Sequence, residues 1–209
     1  TAPNGLGAGV YANGGALSMK RSTVNGNVAA NGTGGGLALY QVALDLENCT
    51  VAGNSAKFGG GIQMDSAPSC SIHLTTVSGN DATTQSGGIR LYNTTIDLEN
   101  SIIGANTSPS QPDVSGLGPA TLNSDYSLIE DATDIGTLVI AGAGNITGVD
   151  PQLGALADNG GPTQTMLPAA SSPAVDAGDP AFTPPPSTDQ RGLPRVVGGG
   201  LDMGSVERQ

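Results

Sequence analysis

One histidine occurs in the 209 residues, and it stands midway between two glutamates. Glu47, His73 and Glu99 follow one another at 26-residue intervals, with Lys20 ahead of them. Beside this series runs a second, Ser18, Asp45, Ser71 and Asp97. Imidazole and carboxylate can ligate a divalent metal, and histidine changes charge near neutrality, so Glu47, His73 and Glu99 could form a cation or pH-responsive site. The same residues equally describe an exposed charge ladder, in which Lys20 and His73 relieve repulsion between the glutamates. No cofactor is demanded by the sequence; calcium is the one ion its acidity invites.

A second set suits hydroxyl-rich ligands. Tyr40, Asp65 and Tyr92 recur at steps of 25 and 27 residues, and Tyr11, Gln63 and Arg90 fall beside the same line. Tyrosine rings stack on sugars, while Asp, Gln and Arg bond hydroxyls, so these six are candidate carbohydrate contacts. An ordinary solvated sheet face would look the same. Hydrolysis or elimination on a polysaccharide needs a carboxylate pair, or a calcium cluster with a basic residue. Only Asp65 and Arg90 approach that, without a second acid beside them. Cys49 falls in line with Ser22, Thr75 and Ser101, and Cys70 with Leu44 and Ile96. Both therefore read as small buried residues, not nucleophiles. They are also expected to be unbonded, because five extended residues separate their repeat positions, about 16 Å.

These alignments exist because the chain repeats. Four units open at Gly9, Gly36, Gly61 and Gly88, the last three on Gly-Gly, followed by alternating apolar residues. They close on Asn27, Asn54, Asn80 and Asn106, at steps of 27, 26 and 26 residues. Within a unit the alternation has period two, as in Leu44-Asp45-Leu46-Glu47 and Ile96-Asp97-Leu98-Glu99, which places apolar and charged side chains on opposite faces of a strand. A unit of this length, without helical spacing, suits one coil of an all-β, right-handed parallel β-helix. Equivalent residues then stack about 4.8 Å apart. Five apolar columns should fill the interior: Val10/Leu37/Ile62/Ile89, Ala12/Leu39/Met64/Leu91, Leu17/Leu44/Cys70/Ile96, Met19/Leu46/Ile72/Leu98 and Val24/Val51/Val77/Ile103. The four asparagines should form a ladder at one corner, tolerating left-handed backbone there.

The period breaks after Asn106, and irregular coils are expected to about residue 147. From 148 to 209 the composition turns to Pro, Gly and Asp. Five motifs follow in order: Gly148-Val149-Asp150-Pro151-Gln152-Leu153, Asp158-Asn159-Gly160-Gly161-Pro162-Thr163, Ser172-Pro173-Ala174-Val175-Asp176-Ala177-Gly178, Thr188-Asp189-Gln190-Arg191-Gly192-Leu193-Pro194-Arg195 and Asp202-Met203-Gly204-Ser205-Val206-Glu207. This series resembles the choice-of-anchor Q domain of bacterial surface proteins. The preceding coils resemble pectin-lyase-like and polymorphic-outer-membrane-protein-like β-helices. The resemblance implies export and a place outside the cell or on the bacterial surface, and it implies no reaction. On physical grounds the 148–209 segment should cap the last coil, whose open edge would otherwise template aggregation. Arg191 and Arg195 should pair inside it with Asp176, Asp189, Asp202 and Glu207.

Composition bounds the partners. Seven Lys and Arg against 18 Asp and Glu give a net charge of −11, which disfavours nucleic acid and anionic lipid. No apolar run is long enough to insert in a membrane. The chain opens on Thr1-Ala2-Pro3-Asn4, so an export signal is expected to have been removed or to lie upstream. Three functions fit: a non-catalytic surface module, structural or adhesive; a subunit of an extracellular filament stacked head to tail through its uncovered first coil; and a polysaccharide lyase or hydrolase.

Overall fold

Residues 5–209 are described by the structure, a computed structural model. Thr1–Asn4 lie outside the described residues.

Short strands joined by tight turns build a parallel β-solenoid coil that repeats about every 26 residues. The first coil carries β1 (Val10–Asn13), β2 (Ala16–Lys20), β3 (Thr23–Asn25) and β4 (Val28–Thr33). The second carries β5 (Leu37–Tyr40), β6 (Ala43–Glu47), β7 (Thr50–Ala52) and β8 (Ser55–Phe58). The third carries β9 (Ile62–Asp65), β10 (Cys70–His73), β11 (Thr76–Ser78) and β12 (Asp81–Gln85). In the fourth, β13 (Ile89–Tyr92), β14 (Thr95–Glu99) and β15 (Ile102–Gly104) keep the pattern. The fifth fuses two faces into one long strand, β16 (Val114–Asp125), followed by β17 (Leu128–Ile129). A last coil has β18 (Gly136–Ala141) and β19 (Ile146–Thr147).

Every pairing between coils is parallel, and along the apolar columns the register matches the repeat, with bulges confined to the pairings of β4 with β8, β8 with β12 and β16 with β18. Val10 lies beside Leu37, Leu37 beside Ile62, Ile62 beside Ile89, and Ile89 beside Val114. Cys70 pairs with Leu44, and Val24, Val51, Val77, Ile103 and Ile129 form one line. These columns merge into a single aliphatic core running the length of the stack. Each large side chain buried there contributes about 1.5–3 kcal/mol, so the coil closes without aromatic residues.

Side-chain hydrogen bonds tie the coils along two corners. Asn27, Asn54 and Asn80 each donate from Nδ2 to Oδ1 of the next asparagine at 2.9 Å, and Asn106 donates to Asp113 Oδ1 at 2.9 Å. The expected ladder is present, ending on a carboxylate. Its left-handed residue is not the asparagine, however, but the one before it: Gly26, Gly53, Gly79 and, in the fourth coil, Ala105. Glycine adopts that backbone at no steric cost, leaving the asparagine extended and aimed along the axis. The Gly-Gly opening has a matching cause. A Cβ on Gly61 would lie 3.1 Å from Asn80 Nδ2 and 2.8 Å from Gly88 O, so the ladder needs bare backbone beside it. At a second corner, the backbone N–H groups of Cys49, Thr75 and Ser101 donate to the hydroxyls of Thr75, Ser101 and Ser127, and Ser127 N donates to Asn145 Oδ1. Both cysteines are buried and free.

The 148–209 segment lies along the flank of the stack, not across its end as expected above. Its only strands are the hairpin β20 (Val196–Val197) and β21 (Gly200–Leu201). It covers the outer face of the sheet formed by β3, β7, β11, β15, β17 and β19. That face carries Thr23, Thr50, Thr76, Ile102 and Leu128 in one line. The threonines at the early coils are met by polar groups. Thr23 Oγ1 donates to Gln164 O, Thr50 Oγ1 to Gln190 Oε1, and Ser205 N to Thr76 Oγ1. The apolar pair at the later coils, Ile102 and Leu128, is covered by Ala174 and Met203, a second small core. An outward column that turns from threonine to leucine cannot face water throughout, which explains why the segment runs sideways.

Candidate functional site

The acidic column sits on the outward face of β2, β6, β10, β14 and the second half of β16. Register places Lys20, Glu47, His73, Glu99 and Asp125 in line. The column resolves into pairs. Lys20 Nζ lies 3.1 Å from Glu47 Oε2, and His73 Nδ1 3.2 Å from Glu99 Oε2, while His73 Nε2 contacts the Ser71 hydroxyl. Glu47 raises the Lys20 pKa through this hydrogen bond. Among the described residues, no group of three or more His, Cys, Asp or Glu side chains comes close enough to hold a metal ion. The strand spacing explains this: two glutamates two coils apart stand about 9.6 Å apart along the axis, too far to share an ion without bending toward the histidine.

The flanking segment gives the column a second wall. A cleft of about 360 Å³ opens between Glu47, His73 and Glu99 on one side and Asp179, Phe182 and Pro185 on the other. An adjoining lobe of about 320 Å³ shares Glu99, Asn100 and Asp179 and adds Asp125 and Tyr126. Asp179 N donates to Asn100 Oδ1 at 2.7 Å, pinning the segment to the fourth coil. Residues 179–186 were not singled out from the sequence. Nothing periodic links them to His73, and only the long-range path of the flanking segment brings them there.

The tyrosine face is partly as expected. Tyr11 and Tyr92 are exposed, and the rings of Tyr11 and Tyr40 lie 5.9 Å apart, tilted by 52°. Tyr40 OH bonds Thr33 Oγ1 at 2.9 Å, which fixes the ring in place. A shallow groove of about 260 Å³ runs between Asn13, Tyr40, Gln41 and Asp65. Gln63 does not belong to this surface. It is 2% exposed and accepts from Arg90 Nη1 at 2.9 Å. Arg90 itself is half covered by Phe58, whose ring lies 4.9 Å from the guanidinium carbon, and its Nε has no partner. Phe58, the last residue of β8, lies against this strand face, and burial lowers the Arg90 pKa. The open contacts are therefore Tyr11, Tyr40, Asp65 and Tyr92.

Of the ion pairs expected in the flanking segment, one forms. Arg191 Nη2 lies 2.8 Å from Asp189 Oδ2 with both side chains buried. Arg195, 1% exposed, donates to Gly204 O and has no carboxylate within pairing distance; its Nε and Nη1 are unpartnered. Burial lowers its pKa to about 10. Asp176, Asp202 and Glu207 instead accept backbone N–H groups. Gly199 donates to Asp176, Asp176 and Arg208 to Asp202, and Val197 and Asp202 to Glu207. These carboxylates fold the loops of the segment by bonding main chain, a role their spacing in sequence does not reveal. Cys49 and Cys70 have thiol pKa values pushed up to about 11 by burial, which removes the thiolate a nucleophile would need.

No family model, curated protein or solved structure matches this chain.

Proposed function

We propose that this chain is a non-catalytic structural module of an extracellular or bacterial cell-surface protein, a stiff β-solenoid that displays a tyrosine-lined face for carbohydrate. The observation that carries this reading is the continuous bonding of one coil to the next: an aliphatic core, two side-chain ladders and a lateral strap from residue 148 onward. Such a body resists bending and local opening, as a stalk or spacer must. The choice-of-anchor Q and pectin-lyase-like resemblance of the motifs supports export and surface location. The reactive side chains support the absence of catalysis, since His73, Arg90, Asp189 and the thiols are all committed to internal contacts. A panel of immobilised polysaccharides and oligosaccharides tests it. Binding should occur without new reducing ends or unsaturated products, and Tyr40→Ala with Tyr92→Ala should weaken it about tenfold or more, from lost stacking. Turnover of a polysaccharide that stops in Asp65→Asn would overturn it in favour of a lyase or hydrolase.

A second reading is favoured by the ends of the stack. The strands of the first coil and β18 and β19 of the last are each paired on one side only among the described residues, and Val139 is 58% exposed. Unpaired parallel edges at both ends suit head-to-tail stacking of copies into a filament. Sedimentation across a concentration series, with and without calcium, decides it: growth into filaments is expected, and one monomeric species throughout would exclude it.

A further inference from the structure

We propose that the tyrosine-lined face recognises amino sugars, in a glycan whose free ammonium group sits on Asp65 between the rings of Tyr40 and Tyr92. The inference rests on the carbohydrate reading above and narrows its ligand class. Register sets the three residues side by side. Tyr40 pairs with Asp65 and Asp65 with Tyr92, with Asn13 ahead of them and Leu117 behind. Neighbouring positions in such a column stand about 4.8 Å apart, so two tyrosines flank one carboxylate along about 9.6 Å of the solenoid axis.

The backbone of this face is fixed before any ligand arrives. The chain turns directly after each column residue, at Gly14, Gln41, Ser66 and Asn93, all with left-handed backbone. The turn residues still donate to the next coil: Gly14 N to Tyr40 O at 2.8 Å, Gln41 N to Asp65 O at 2.8 Å and Ser66 N to Tyr92 O at 2.9 Å. With the main chain satisfied, the side chains are what the column offers a ligand. Tyr40 is held through its hydroxyl by Thr33, and its ring lies against that of Tyr11. Asp65 Oδ1 accepts from the Ser66 hydroxyl at 2.7 Å, and among the described residues its carboxylate forms no ion pair.

The missing counter-ion is what selects a cation. Arg90 stands two residues before Tyr92 on the same strand, yet it donates to Gln63 and lies over the Phe58 ring. It acts on Asp65 only at a distance. Lys57 Nζ lies 5.3 Å from the centre of that same Phe58 ring. In the cleft beside His73, by contrast, Glu47 and Glu99 are already paired with Lys20 and His73. An ammonium at Asp65 gains a carboxylate and the negative faces of two tyrosine rings together. A uronate would bring its own negative charge to a chain of net charge −11, with no free guanidinium to receive it. The groove of about 260 Å³ between Asn13, Tyr40, Gln41 and Asp65 adds two amides for the hydroxyls beside the amine.

Calorimetric titration of the purified chain at low salt with oligosaccharides of equal length tests the proposal. The probes are oligomers of glucosamine, N-acetylglucosamine, glucose and galacturonic acid. The glucosamine oligomer should bind tightest, its N-acetylated counterpart about tenfold more weakly, and the galacturonic acid oligomer not at all. Asp65→Asn preserves side-chain size and the acceptor for Ser66. It should weaken the glucosamine oligomer about fivefold and leave the glucose oligomer unchanged. Tyr92→Ala, at an exposed position, should weaken every oligomer that binds. Asp97→Asn removes the same charge from the neighbouring outward face and should change nothing. Equal losses in Asp65→Asn and Asp97→Asn would reduce the binding to general attraction by an acidic surface and overturn the proposal. Tighter binding of any of the other three oligomers would overturn it while leaving the carbohydrate reading in place. Binding of none of the four would overturn both.

Discussion

Asn80 and Asn106 are the most heavily bonded residues of the asparagine ladder, and replacing Asn80, a rung between two asparagines, with alanine should do severe damage at that corner. Its Nδ2 donates to Asn106 Oδ1 and to Val51 O, each at 2.9 Å, and its Oδ1 accepts from Asn54 N at 3.0 Å and Asn54 Nδ2 at 2.9 Å. All of these groups are buried, so Asn80→Ala strands donors and acceptors that water cannot reach. At about 1 kcal/mol per bond, with the desolvation of the stranded groups included, the loss should be about 4 kcal/mol. Asn27 is the internal control. Its Nδ2 makes one ladder bond, to Asn54 Oδ1, and one exposed bond to Asn25 O, so Asn27→Ala should cost about 1 kcal/mol. Guanidinium unfolding followed by circular dichroism, with the slopes compared between variants, measures both. Equal losses, or a loss below about 1 kcal/mol for Asn80→Ala, would refute the claim that the ladder holds the coils together.

Three further outcomes follow from named contacts. Gly61→Ala places a methyl group 2.8 Å from Gly88 O and 3.1 Å from Asn80 Nδ2 and should cost about 1–3 kcal/mol in the same assay, whereas exposed Gly53 sits in open space and owes its sensitivity to backbone alone. Burial pushes Asp113 up to about 6 and Glu207 up to about 7, above their unfolded values near 4, so both acids are more easily protonated in the folded chain. Their contribution to stability should therefore rise as pH falls from about 7.5 to 4.5, and Asp113→Asn should remove the part between about 6 and 4, read as a smaller shift of the denaturant midpoint with pH. Gln190→Ala removes the buried bonds to Thr50, Thr23 and Thr163 and should raise hydrogen exchange across residues 148–209 while leaving the β-sheet signal intact.

The solenoid was legible because its determinants repeat. Cys70 could be assigned to the interior column of Leu44 and Ile96, and the four asparagines to one corner, since register errors flip every side chain and only one alignment keeps the columns apolar. The left-handed residue at that corner was misplaced, because glycine and asparagine are adjacent and both tolerate it; the ladder geometry decides. Gln63 and Arg90 looked outward by alternation, but alternation does not reveal that Phe58, at the end of β8, covers that face. The path of residues 148–209 was hidden for a different reason. Its contacts, such as Thr50 with Gln190 and Ser205, span some 140–155 residues and have no period. One signal was available: Ile102 and Leu128 stand at outward positions where the earlier coils carry threonine, so that face needed a cover. The cleft between His73 and Phe182 depends on that path and was illegible for the same reason.

Side-chain amide exchange, followed by NMR on nitrogen-labelled protein, tests the central structural claim most directly. The NH2 groups of Asn54, Asn80 and Asn106 are buried and bonded to the next rung, so they should exchange only with global unfolding, whereas exposed Asn93 should exchange at the rate of a free amide. Fast exchange at Asn54, Asn80 and Asn106 would contradict the ladder, and with it the register of every coil.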